Sequence, residues 1–132
     1  MSALRLIAAF CLFPIALSAQ PVSDSIQRYQ DQLRANPRDS LAHYQLAEAF
    51  VLQNYQSAAN EFREALQGDT DPAWTVVWAH IKIGNIFDLS GQRDRAVNEY
   101  NLAIRTRDNT QGAQEEAAKY LKAPYERKRS NV

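Results

Sequence analysis

The chain has 132 residues, 45% of them hydrophobic and 23% charged, with 15 basic side chains against 15 acidic ones. That length allows one domain, and the composition is too apolar and too evenly charged for a disordered chain. A formal net charge of zero supplies no overall field to attract nucleic acid or an anionic membrane surface, so neither is expected as a partner.

The opening segment, MSALRLIAAFCLFPIALSAQ, differs from everything after it. Arg5 precedes an apolar run from Leu6 to Leu17, and small residues follow at Ser18 and Ala19. This is the layout of a secretory signal peptide over residues 1–19, cleaved after Ser18 or after Ala19. The alternative is an anchor left uncleaved, which fits less well. As a helix the run would measure only ~18 Å against a hydrocarbon layer of ~30 Å. Cys11 lies inside the run behind Phe10, where lipid attachment would need a small residue. The exported chain would then carry no cysteine, hence no disulfide and no thiol chemistry. The expected location is the periplasm or the outside of a bacterial cell envelope.

Past Pro21 the sequence turns polar, and Ser23, Asp24 and Ser25 offer helix-capping side chains. Ile26, Tyr29 and Leu33 recur at three- and four-residue intervals, one face of a helix that Asn36-Pro37 ends. Residues 24–37 read as a half repeat covering the next unit, or as a solitary leader helix. Residues 40–68 read as a helix pair. Leu46, Ala47 and Phe50 mark its first helix, and Tyr55, Ala58, Phe62 and Ala65 its second. Asn54 at the turn can take a left-handed conformation in place of glycine.

Residues 72–106 read as a second pair. Asp71 is a candidate cap, Pro72 suits a first helical position, and Trp74 and Trp78 lie on an extended first helix. Four residues apart, the two tryptophans share a face, either packed or lining a groove. Ser90-Gly91-Gln92 forms the turn. Over 110–123, Ala113, Ala117, Tyr120 and Leu121 trace a further apolar stripe, with Glu115 and Glu116 near the positive helix start. Gln114, Glu115, Lys119 and Lys122 supply the polar outer face that a terminal helix needs. Residues 124–132 read as a charged, solvated tail.

The stretch 78–104 carries the sharpest pattern. Ile83 precedes Gly84, and the steps Gly84–Phe87, Phe87–Ala96, Ala96–Tyr100 and Tyr100–Ala103 are three, nine, four and three residues. This alternation of small and large residues resembles a tetratricopeptide repeat (TPR), with His80 where the family's aromatic stands. The unit over 40–68 matches the same pattern with eight residues between Phe50 and Ala58 rather than nine. The resemblance implies an all-α domain of about six helices, stacked as antiparallel pairs in a right-handed superhelix.

It also implies a non-catalytic scaffold whose first helices line a concave groove for an extended peptide or a partner helix. Carried over by position, the groove-facing residues are Tyr44, Gln45, Glu48, Val51 and Leu52 in the first unit. In the second they are Trp78, Ile81, Lys82, Asn85, Asp88 and Leu89. Lys82 and Asn85 resemble half of the family's carboxylate clamp, and the Tyr44/Glu48 unit lacks the other half. With only about two and a half repeats, self-association or docking onto a larger envelope protein is a further expectation.

No catalytic signature stands beside this pattern: no HExxH, no cysteine cluster, no GxSxG and no phosphate-binding glycine loop. The two histidines, His43 and His80, occupy equivalent positions in the two units and read as packed substitutes for the family's aromatic. The sequence thus points to a protein or peptide partner, with no enzyme activity, metal or cofactor expected.

Overall fold

The computed structural model describes residues 20–128. The expected leader over 1–19, with Cys11, and the end of the tail, 129–132, lie outside the described residues. Within them run six α-helices: α1 (Gln20–Ala35), α2 (Ser40–Val51), α3 (Tyr55–Gln67), α4 (Trp74–Leu89), α5 (Arg93–Arg105) and α6 (Ala113–Lys122). A 3-10 turn, Thr110–Gly112, leads into α6. Each helix packs on its neighbours in sequence, with α2/α3 and α4/α5 as the tightest pairs, and α4 also touches α2 and α6. The result is a stack in which α2, α4 and α6 form one layer and α1, α3 and α5 the other.

The stack is held by what small residues permit. Ala47, Ala58, Ala65, Ala96, Ala103, Ala113 and Ala117 are wholly or almost wholly buried, and Phe62, Tyr100, Val77, Ile81 and Ile83 fill the space between. Gly84 is the tightest point. A Cβ there would stand 2.5 Å from Cε1 of Tyr100, whose ring is completely buried. Helix α4 therefore approaches α5 through a gap that only glycine leaves open.

Several boundaries differ from the sequence expectation, each for a local reason. Helix α1 runs through Gln20–Ala35, so Ser23, Asp24 and Ser25 lie inside it rather than capping it. Asn54 is extended (φ −155°), not left-handed, and its side chain accepts from the N–H groups of Gln56 and Ser57. A capping side chain thus closes the shorter turn, whereas Gly91 (φ +71°) makes the longer one in the second pair. Helix α4 begins at Trp74, not Pro72, and Asp71 does not cap it. Instead the Pro72 carbonyl accepts from both the N–H and the hydroxyl of buried Thr75, at 3.0 and 2.8 Å.

The ends of the stack are polar. Helix α1 half-buries Ile26, Tyr29 and Leu33 and exposes Gln27, Arg28, Gln30 and Arg34. On α6, Glu115, Lys119 and Lys122 are exposed. Gln114 departs from the expected outer face. Its amide donates to the carbonyls of Ala103 and Asp108, tying the end of α5 to the loop that follows.

The loop at 68–71 locks the first pair to the start of α4. Fully buried Ser40 donates to the Ala65 carbonyl at 2.7 Å and accepts from the Thr70 N–H at 2.8 Å. The N–H groups of Asp71 and Ser40 both reach the Asp69 carboxylate at 3.1 Å and hold its pKa below the ordinary aspartate value.

Two outcomes are expected. Gly84→Ala should cost about 1–3 kcal/mol in urea unfolding, because the pinned Tyr100 ring cannot give way. The reverse change in the equivalent place, Ala47→Gly, should cost no more than about 1 kcal/mol. Equal stability of Gly84→Ala and the parent would contradict the close contact. For Asp69, a depressed folded-state pKa adds stability above the unfolded value of about 4, and this is lost as pH falls through the folded value. Asp69→Asn should flatten the acid limb of a Tm-against-pH curve, and an unchanged limb would contradict the assignment.

Candidate functional site

A helical face repeats every three to four residues, and α2 and α4 each carry such a stripe toward the same side. On α2 and its C-cap it is Gln45, Glu48 and Leu52; on α4 it is Trp78, Lys82, Asn85 and Leu89. Glu48 is exposed, Leu52 is 70% exposed, and Gln45, Trp78, Lys82, Asn85 and Leu89 are half-buried. Between the two helices Glu48, Val51, Leu52, Lys82, Asn85, Ile86, Leu89 and Tyr125 enclose a hollow of about 180 Å³.

Charge on this face is mixed and loosely held. The Lys82 ammonium lies 3.6 Å from the Glu48 carboxylate, with both side chains substantially exposed. Such a pair contributes little to stability and opens readily for a ligand. Lys82 also lies 6.0 Å from the Trp78 ring centroid. Trp78 is fixed from the other side, since its indole N–H donates to the Thr110 carbonyl at 3.0 Å. That bond sets the 110–112 turn at the groove's edge.

Three of the expected groove residues face elsewhere. Tyr44 is 5% exposed and packs edge-on against Phe62 and Trp74, with both centroids at 5.2 Å. Burial, with the Glu48 charge beside it, pushes its phenol pKa well above the ordinary tyrosine value. Ile81, one repeat later, is also fully buried. This register position is buried in both units and does not face the groove.

Asp88 is the third correction. Its side chain is 0% exposed, and its carboxylate takes the Arg93 guanidinium at 3.0 and 3.1 Å. The Tyr100 hydroxyl lies 2.8 Å from the Asp88 carboxylate and 2.9 Å from the Asn85 side-chain oxygen. Burial first, then the Asp88 carboxylate, raises the Tyr100 pKa far above its usual value, so the hydroxyl keeps its proton to donate. Arg93 also donates to the carbonyls of Tyr120 and Leu121 at 2.7 and 3.1 Å, satisfying the end of α6. The last partner of Asp88 is the backbone N–H of Tyr125, at 2.8 Å.

The two histidines clamp the helix pairs. His43 Nδ1 lies 2.7 Å from Glu61, and His80 Nδ1 lies 2.7 Å from Glu99. The separations are 18 and 19 residues, and the difference is the residue missing from the first turn. His43 also reaches the Pro37 carbonyl through Nε2 at 2.9 Å. Both rings thus cross from the first helix of a pair to the second, where sequence had suggested only packing. Among the described residues, no three His, Cys, Asp or Glu side chains converge as metal ligands would.

Sequence reasoning missed Glu61, Glu99, Arg93 and Tyr125. The first two were discoverable from their matched spacing to the histidines. Arg93 lies outside the small–large pattern, and Tyr125 lay in a tail read as solvated. Instead, residues 124–128 run back over the stack. The Tyr125 ring packs at 5.3 Å on Tyr120, and Arg127 donates to the Tyr55 hydroxyl at 3.3 Å.

No family model and no curated protein sequence matches the chain. Among 13 matching chains of known structure is the crystal structure of MamA. The superposition covers 76% of this chain and 65% of MamA, with 23% sequence identity and a TM-score of 0.56. The chain thus spans 65% of the length of MamA. The all-α, TPR-like stack of helix pairs expected from the small–large spacing is the fold of this chain.

Proposed function

We propose that the chain is an exported, non-catalytic TPR-family scaffold that binds an extended segment of a protein partner on its concave face. One observation carries this reading. The stripe of α2 and α4 sets 70%-exposed Leu52 and half-buried Leu89 beside the weakly paired Glu48–Lys82 and Asn85. An apolar anchor ringed by polar groups, of which the Glu48–Lys82 pair is cheap to rearrange, suits an extended peptide, whose backbone needs hydrogen bonds and whose side chains need pockets. The polar outer faces of α1 and α6 favour this groove over end-to-end stacking of copies. Export rests on the leader-like segment 1–19.

The test is a photo-crosslinking amino acid placed at Leu52 in the producing cell, with a second version at exposed Asn98 on α5 as control. A discrete protein adduct is expected from position 52 and none from position 98. The double substitution Lys82→Ala with Asn85→Ala should reduce that adduct several-fold without lowering Tm by more than a few degrees. Adducts of equal yield from both faces, or none from the groove, would reject the reading.

A further inference from the structure

Residues 123–128 form no helix, yet they are not loose. Ala123 leaves α6 in an extended conformation (φ −147°, ψ 141°), and Pro124 has no N–H of its own to satisfy. Tyr125 then presents two groups to the stack. Its N–H donates to the buried Asp88 carboxylate, and its ring stands edge-on to Tyr120 while closing the hollow lined by Ile86 and Leu89. Around it Ala123, Pro124, Glu126, Arg127 and Lys128 are all exposed.

This is how an extended ligand is held: one aromatic anchor, one backbone hydrogen bond, and little else. Arg127 adds a long contact to Tyr55 at 3.3 Å. Asp88 is preorganised for the role, because Arg93 and Tyr100 orient its carboxylate whether or not the N–H of Tyr125 is present.

We propose that the seat of Tyr125, against Asp88 and Tyr120 at the rim of the hollow lined by Ile86 and Leu89, is a subsite for one aromatic residue of an extended peptide, that Tyr125 occupies it in this structure, and that an aromatic-bearing segment of a partner protein displaces it. The proposal rests on the groove reading above and names the chemistry of its ligand. The ligand is a segment in extended conformation whose Tyr, Phe or Trp has a free backbone N–H. The tethered tail competes at an effective concentration in the millimolar range, so the resting chain binds such segments weakly. Displacement opens the far end of the groove, between Leu52 and Leu89, to the residues that flank the anchor.

The experiment uses the full chain and its Tyr125→Ala variant, titrated to millimolar concentration with a labelled peptide of residues 122–128, Lys-Ala-Pro-Tyr-Glu-Arg-Lys. The variant should bind the peptide at least tenfold more tightly than the parent. The same peptide N-methylated at its tyrosine nitrogen, or carrying Ala for Tyr, should lose at least tenfold. A second measurement needs no variant: the Tyr125 amide of the parent should be protected from hydrogen exchange, and excess peptide should remove that protection. Equal binding to parent and variant, no binding to the variant, or indifference to N-methylation would each overturn the subsite. The crosslinks from position 52 would then still decide the groove reading separately.

Discussion

A carboxylate buried in protein must be fully partnered, because an unpartnered charge there costs several kcal/mol. Asp88, with its side chain out of solvent, places that demand at the end of α4. Its partners come from three separate parts of the chain: Arg93 at the start of α5, Tyr100 within α5, and the backbone of Tyr125 beyond α6. Arg93 extends the network to the last carbonyls of α6. One charge therefore fixes the turn of the second helix pair, the seat of the terminal helix and the path of the tail. The first pair has Val51 at the equivalent place and builds no such hub, so the two units differ in chemistry while sharing a backbone plan.

Close packing sets the frame in which that network operates. Tyr100 can bring its hydroxyl to Asp88 only because its ring slides across Gly84, where any side chain would collide with it. Small residues and polar partners therefore cooperate: glycine allows the approach, and the hydrogen bonds fix the ring that exploits it. In the first pair the equivalent positions hold Ala47 and Phe62, both fully buried, and Phe62 has no hydroxyl to anchor.

Periodicity made the fold legible. The steps around Gly84, Phe87, Ala96, Tyr100 and Ala103 report which residues must interleave between two helices, and the helices form where that pattern puts them. The same reasoning placed Gln45, Glu48, Lys82 and Asn85 on partly exposed helix faces, as the structure has them. It failed at Tyr44, Ile81 and Asp88 because spacing defines a face of one helix, not which neighbour covers its edge. A residue at the margin of a stripe can point to solvent or along the stack, and only the next unit decides. The His–Glu clamps were hidden because their partners lie 18 and 19 residues away, a periodicity set by the turn rather than by the helix. Tyr125 was illegible because a charged tail carries no repeating signal at all.

Helix α1 has a different standing from the rest of the stack. Among its residues of described burial, 22–35, it contributes half-buried Ile26, Tyr29 and Leu33 but no fully buried side chain, and its packing is mainly against α2. In a linear array each unit is stabilised by its immediate neighbours, so the weakest end opens first and independently. Opening of α1 would bare the outer side of α2 while leaving Asp88, Gly84 and the second pair intact. The molecule is thus graded from one end to the other: a densely tied block around α4–α6, and a first helix held mainly by its contact with α2.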